Sequence, residues 1–264
     1  MDQHKVLSIK QASLEIDGRL LWRNLNLEVS SGEFIAIIGA NGSGKTSLLK
    51  AILGQLKLTS GEIRFDNKLV GLGNNQIGYI PQHRALEEAT NVKVRDLVRF
   101  GLNGHKLGMF LPLAKSTKRI QEAMVCADVL HLAGKNFAEL SGGEQQRVRV
   151  AQAIVSDPKM LLCDEPLSAL DLQQQEIVSD LIKDEAIDHK TAVLFVTHDV
   201  NPVLDMVDRV LYLANGSFSI GTPEEVFRSE VLSELYGTKV EVLRNKGRIV
   251  VVGAGSHDHH EEER

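Results

Sequence analysis

Cysteine is nearly absent from this 264-residue chain: only Cys126 and Cys163 occur, and they do not form a CxxC pair. That leaves no redox motif and no disulfide framework to read, and reduced core thiols are the expectation. Long apolar runs are missing too. The longest, "FIAIIGA" and "TAVLFVT", are strand-sized and fall far short of the ~20 residues a membrane helix needs. The start, "MDQHKVLSIK", lacks the apolar core of a secretion leader. There is no basic run, and 30 Lys and Arg stand against 35 Asp and Glu for a formal charge of −5. This argues against a dedicated nucleic-acid binder. No internal repeat occurs. A soluble, intracellular protein is expected, and a hydrophobic content of 43% is ample for a sizeable core.

What is present is strongly patterned. "KVLSIKQASLEI" and "RNLNLEVS" alternate with period two around an Asp-Gly turn and read as antiparallel strands. "GEFIAIIG" is a continuous apolar run of the buried parallel-strand type, followed by a glycine-rich loop and the helical "KTSLLKAILGQL". "TSGEIRF" and "QIGYIPQ" are further strands. Residues 83–141 change character and read as a helical insertion, with "NVKVRDLVRFGL" and "KSTKRIQEAMVCADVLHL" as its helices. Beyond residue 140 come a helix, the strand "KMLLCDEP", a helix, the strand "AVLFVTH", a helix and the strand "RVLYLANG". This βα alternation predicts an α/β fold with a mostly parallel sheet. "TPEEVFRSEVLSELYG" predicts one more helix, and residues 236–255 a hairpin about "NKG". Residues 256–264, "SHDHHEEER", are too polar to pack and are expected to be mobile.

Gly39-Ala40-Asn41-Gly42-Ser43-Gly44-Lys45-Thr46 fits a phosphate loop, lying after a strand and before a helix as that motif requires. A triphosphate needs several N–H donors on a concave backbone, a positive helix end and a compact cation. Lys45 is placed to bridge β- and γ-phosphates, and Thr46 to offer its hydroxyl to Mg²⁺. Asp164 and Glu165 end an apolar strand. Carboxylate oxygen suits a hard cation, the role assigned to Asp164, while Glu165 can polarise the attacking water. Such a pair could also merely end a strand before proline; a phosphate loop in the same chain favours catalysis. His198 follows another buried-type strand and can donate to a γ-phosphate oxygen. Gln82, after "IGYIP", carries an amide able to reach Mg²⁺ or the lytic water. Each of these last two could equally be a plain structural residue.

Leu140-Ser141-Gly142-Gly143-Glu144 adds a helix start with exposed backbone. Together with the phosphate loop, the Asp164-Glu165 pair, Gln82, the "SALD" of residues 168–171 and His198, residues 6–235 resemble the nucleotide-binding subunit of ATP-binding cassette (ABC) transporters. The resemblance implies a phosphate-loop ATPase core in residues 1–235 with an antiparallel β subdomain and an inserted α-helical subdomain. It implies a homodimer sandwiching two ATP molecules, each held by one copy's phosphate loop and by Ser141, Gly142, Gly143 and Glu144 of the other. Ser141 would cap its helix and bond a phosphate oxygen, with Gly142 and Gly143 clearing the approach. Asp171 would couple the two sites, Glu165 would be the general base, and His198 would hold the γ-phosphate. Thr46, Gln82 and Asp164 would serve Mg²⁺.

The family's usual adenine-stacking aromatic is missing. Ile16 occupies the equivalent place, and Trp22, the nearest ring, is at least as well suited to packing in the sheet. Partners implied by the resemblance are transmembrane permease subunits, with an extracytoplasmic substrate-binding protein reached through them, at the cytoplasmic face of a membrane. The insertion would form a groove for the permease, with Arg84, Leu86, Val94, Leu97 and Phe100 as candidate contacts or, for the apolar ones, as packing. "NVKVRDLVRFGLNG" looks most like the zinc/manganese/iron importers, with siderophore, haem and cobalamin importers nearby. His257, His259 and His260 beside acids would suit divalent metal, a solvated tail or a tag. Rival classes are a non-transport ABC ATPase and a small-molecule phosphotransferase.

Overall fold

Period-two alternation builds β1 (Lys5–Ile16) and β2 (Arg19–Ser30). Asp17 and Gly18 join them, at φ 52° and 76°, the left-handed pair that matches strand twist in a two-residue hairpin. Pairing begins at Ile16↔Arg19, so β2 starts four residues before the segment read as strand. The computed structural model describes residues 4–82, 91–103 and 114–253. The remaining elements follow as β3 (Phe34–Gly39), α1 (Lys45–Ile52), β4 (Ser60–Phe65), β5 (Lys68–Leu69), β6 (Ile77–Ile80), α2 (Val94–Asn103), α3 (Ala114–Cys126) and α4 (Gly142–Ile154). After these come β7 (Met160–Asp164), α5 (Leu172–Asp188), β8 (Ala192–Val196), β9 (Arg209–Ala214), β10 (Ser217–Gly221), α6 (Pro223–Val226), α7 (Ser229–Tyr236), β11 (Val240–Asn245) and β12 (Arg248–Gly253).

A six-stranded sheet runs β10-β9-β3-β8-β7-β6, and an antiparallel sheet runs β2-β1-β4-β5. In the larger sheet every pairing is parallel except β9 with β10. All residues of β3, β7 and β8 are buried, as strands covered on both faces must be. One face packs Ile35, Ile37, Leu162 and Leu194 against α1 and the antiparallel sheet, including Trp22. The other packs Phe34, Phe195 and Tyr212 against α5 and the C-terminal helices. Val94, Val98, Met124 and Val148 centre a third core in the inserted helices and α4. No helix among the described residues is long and apolar enough to cross a membrane.

Several local expectations change. α1 stops at Ile52, short of "LGQL"; Gly54 turns the chain at φ 71°. The segment after His198 is a 3₁₀ helix, Asn201–Met206, with proline in its first turn. The helix expected over residues 222–237 is two. A Thr222/Glu225 capping box starts α6, and Phe227 leaves helical geometry to bury its ring edge-on against Tyr212 at 6.2 Å. Cys163 is buried, but Cys126 is exposed on α3, because the core-facing positions there are Ile120, Ala123, Met124 and Ala127. The tail with His257, His259 and His260 lies outside the described residues.

Candidate nucleotide site

Parallel strands aim their carboxyl ends one way, and the loops leaving them meet at one edge of the sheet. Ile80 pairs beside Cys163, and Asp164 and Ile37 both pair beside Val196. The loops after β3, β6, β7 and β8 are therefore neighbours. They carry the phosphate loop, Gln82, the Asp164-Glu165 pair and His198.

Gly44 ends the phosphate loop at φ 95° and N-caps α1. A Cβ there would lie 3.0 Å from Leu21 Cβ and 3.0 Å from Trp22 Nε1, so conformation and space both demand glycine. Lys45 is buried, and its ammonium donates to Gly39 O at 2.7 Å and Ala40 O at 3.2 Å. Burial pushes its pKa down, while Glu165 and Asp164 pull it back up. Trp22 is fully buried, and its N–H has no partner among the described residues. It backs the loop, and is not available to stack on a base.

Next to the loop, Thr46 Oγ1 donates to Asp164 Oδ1 at 2.9 Å, and Tyr79 OH to Asp164 Oδ2 at 3.3 Å. Gln82 Nε2 donates to Glu165 Oε2 at 2.9 Å. Glu165 sits at φ 50°, held there by its N–H donating to Val196 O at 3.0 Å. A left-handed non-glycine residue costs about 1 kcal/mol, and here the strain falls on the one carboxylate expected to do chemistry. A cavity of 780 Å³ is lined by Ile16, Lys45, Thr46, Gln82 and Glu165, of nucleotide size. Ile16, 37% exposed, stands at its wall. Asp17, Arg19, Leu21 and Ser47 also line the cavity, and none of these was singled out from the sequence; Arg19 matters most. A Cβ on Gly42 would lie 3.4 Å from Arg19 Nη1, so a guanidinium overhangs the loop. Its signal was the Asp17-Gly18 turn, which folds Arg19 back beside Ile16. The bonded Thr46 hydroxyl and Asp164 carboxylate, with Gln82 on the wall of the same cavity as Thr46, offer the oxygen donors that a hard cation such as Mg²⁺ takes.

His198 is exposed and lines a different cleft, of 680 Å³, with Gly39, Ala40 and Asn41. The two clefts share only Asn41, so His198 and Thr46 line separate clefts along the loop. The Ser141–Glu144 segment lines neither cavity. Ser141 N-caps α4 in a full capping box with Glu144. Glu144 accepts from the Ser141 N–H at 2.8 Å and hydroxyl at 2.9 Å, and these bonds hold its carboxyl below the usual range. A Cβ on Gly142 would meet nothing within 4 Å, whereas one on Gly143 would overlap Gln174 Oε1 and lie 2.7 Å from its Cγ. The two glycines therefore differ in their own chain: Gly142 is open, whereas Gly143 is packed. It is buried, and its missing side chain makes room for Gln174 of the same chain. Asp171 is exposed and N-caps α5, accepting from Gln174 N at 2.8 Å.

A third cleft, of 520 Å³, separates the parallel sheet from the inserted helices and is lined by Tyr79, Pro81, Leu97, Phe100 and Phe137. Phe100 is 52% exposed. Val94 is fully buried in the insertion's core and cannot be a surface contact; Arg84 and Leu86 lie outside the described residues. Among the described residues, no group of three His, Cys, Asp or Glu is placed to hold a metal.

The architecture and motif order are those of the ABC transporter family, whose profile matches residues 22–168, and the chain belongs to that family. Hemin import ATP-binding protein HmuV of Escherichia coli O157:H7 is 31% identical over 252 residues, covering 91% of this chain and 95% of the relative. HmuV of Pseudomonas aeruginosa is 34% identical, with 92% and 97% covered. Spermidine/putrescine import ATP-binding protein PotA of Mycoplasma capricolum subsp. capricolum is 34% identical over 85% of this chain, which spans only 64% of that relative. Among solved structures, an inward-facing ABC transporter described as of the metal-chelate type superposes with TM-score 0.80 at 29% identity, covering 96% of this chain and 99% of the other. The cbiO1 protein of Clostridium perfringens, part of the transporter complex cbiONQ, gives 0.75 at 28% identity, covering 87% and 93%. Within the family, this chain is an ATP-binding subunit, and an ATPase.

Proposed function

We propose that two copies of this chain close head-to-tail around two ATP molecules and that hydrolysis reopens them, driving import through separate permease subunits at the cytoplasmic face of a membrane. The observation that carries the hydrolytic part is the bonded series Thr46–Asp164 and Gln82–Glu165 beside the buried Lys45. Lys45, Thr46, Gln82 and Glu165 line one cavity and Asp164 is bonded to Thr46 beside it, which supports phosphate, cation and water roles for them. Lys45 would exchange its bonds to the Gly39 and Ala40 carbonyls for phosphate oxygens. Thr46, Asp164 and Gln82 would hold Mg²⁺, which when bound neutralises phosphate charge. Glu165 acts as general base, kept in line by Gln82. His198 would reach the γ-phosphate from the neighbouring cleft. Triphosphate then holds the dimer shut, because it gives the closed state contacts that the open state lacks. Ser141, Gly142, Gly143 and Glu144 are the partner copy's share of the site, and Asp171 couples the two sites. Ile16, with Arg19 above Gly42, replaces the usual aromatic at the base.

The cleft of Leu97, Phe100 and Pro81 is the proposed permease seat. Tyr79 and Gln82 leave the same short strand, one bonded to Asp164 and the other to Glu165, so a load on the cleft would be felt at both carboxylates. For cargo, the likeness to HmuV over nearly the whole of both chains, and the metal-chelate superposition, favour a haem or other metal chelate. Zinc or manganese is the second reading, supported by the histidine-bearing tail. A substrate-binding protein would be met through the permease. The test is co-purification of the permease followed by reconstitution with its binding protein. Hemin-loaded binding protein should raise ATP turnover; stimulation by zinc- or manganese-loaded protein alone would reverse the order. Failure to co-purify with any membrane protein would refute transport.

A further inference from the structure

The hairpin β11–β12 lies outside the machinery described so far, yet it is bonded to it. Asn201 Nδ2 donates to Ile249 O at 2.9 Å, and Ile249 N donates back to Asn201 Oδ1 at 2.8 Å. One side-chain amide thus pairs with both polar groups of a strand residue, as a neighbouring strand would. Asn201 also gives its backbone N–H and its Nδ2 to Asp199 Oδ1, at 2.9 and 2.8 Å. Asp199 in turn receives Thr197 Oγ1 on its carbonyl at 2.6 Å and donates its N–H to the same hydroxyl at 3.1 Å. Thr197 N closes the series on Ile37 O of β3 at 3.1 Å. His198 is the residue enclosed by this ring of bonds, and it makes none of them.

We infer that Asn201 is a positioning residue, latching the C-terminal hairpin to the segment that presents His198, so that the hairpin belongs to the hydrolysis machinery. The proposal rests on the reading of His198 as a γ-phosphate contact. Several facts point the same way. The cleft beside His198 has Asn41 of the phosphate loop on one wall and Ile249, Val250 and Val251 of β12 on the other. β11 is separately fastened, with Val240 N and Val242 N donating to Ser233 Oγ at 2.9 Å and Ser229 Oγ at 3.0 Å. The hairpin is therefore anchored to α7 at one strand, and its other strand is free to steady the catalytic edge. Only an amide fits the pairing with Ile249, since a carboxylate cannot donate and a hydroxyl cannot span both groups.

The test uses the full chain. Asn201→Ala should speed exchange of the Ile249 amide and lower kcat by at least about fivefold, the size expected when a hydrogen-bonded support is lost. Affinity for ATP should hold, and any fall in melting temperature should leave the protein fully folded at the assay temperature. Gly247→Val, which strains the hairpin turn where φ is 79° without touching Asn201, should lower kcat in the same direction by less. A parental kcat in Asn201→Ala overturns the proposal whatever Gly247→Val does. So does a fall in kcat that merely follows lost ATP affinity or lost folded protein. His198→Ala keeps the underlying reading distinct: parental turnover there overturns both, whereas loss there beside parental Asn201→Ala overturns the latch alone.

Discussion

Gly142→Asp separates what the signature helix does for its own chain from what it offers another. In this chain Gly142 faces open space, with nothing within 4 Å of the position a Cβ would take. An aspartate there meets no steric cost, and an acid in the first turn of a helix stabilises it by about 0.3–1 kcal/mol. Folding should be unharmed, and the melting temperature equal or slightly raised. In a closed dimer the same carboxylate would face triphosphate. At ~6 Å and an effective dielectric near 20, one pair of unit charges repels by about 3 kcal/mol, on the order of 100-fold in closure and turnover. Binding of a fluorescent ATP analogue at protein concentrations that keep the chain monomeric should be unchanged, because the Ser141–Glu144 segment lines no part of the phosphate-loop cavity. Steady-state phosphate release, measured across protein concentration, reads the other half. Parental turnover would refute the shared-site reasoning. A loss of monomer binding in step with turnover would show that Gly142 meets its own chain's nucleotide.

The companion change Gly143→Ala should behave in the opposite way. Gln174 must swing aside and give up its bond from Arg147 Nη1, 2.9 Å long. That charge-assisted bond, worth about 1.5–3 kcal/mol, is only partly offset by the ~1 kcal/mol alanine gains in a helix. The melting temperature should fall by about 3–6 °C, and an unchanged value would contradict the packing described. Glu165→Gln should retain ATP affinity, lose most turnover and accumulate an ATP-linked dimer on size exclusion; a parental rate would remove Glu165 as base. Glu185 is buried, and burial raises its carboxyl pKa above the ordinary value despite nearby His189 and the Thr191 hydroxyl. Its folded pKa is the higher one, so its favourable contribution is complete at acid pH and is lost as pH rises through that value. Glu185→Gln should therefore raise thermal stability at pH 8 and add little near pH 4; equal gains at both would point away from ionisation.

What could be read from residue order is what chemistry places close along the chain. The phosphate loop, the acid pair at the end of β7 and the Ser141 cap of α4 each involve residues a few positions apart, and strand or helix geometry does the rest. What escaped depends on long-range neighbours. Gly143 needs its space for Gln174, which arrives from another helix. Arg19 overhangs Gly42 because a tight turn folds it back. Trp22 and Ile16 both suited a place near the nucleotide, and the difference between them is which face of β2 and β1 meets the sheet below. Helix ends failed for a similar reason. Phe227 leaves α6 because Tyr212 and the core beneath it accept the ring, a gain that local propensity does not register.

Gln174 ties the edge of the molecule together. Its backbone N–H is capped by Asp171, its side chain fills the space left by Gly143, and its oxygen receives Arg147. The Asp171 loop and the start of α4 are thereby one block rather than two independent loops. A second copy would meet a single preset edge, so the distance between its two contacts is decided before association. Errors in that spacing cannot be absorbed by one loop adjusting alone. Substitutions at Asp171, Gln174 and Gly143 should be strongly non-additive, and a change at any one should shift recognition at both ends of the block.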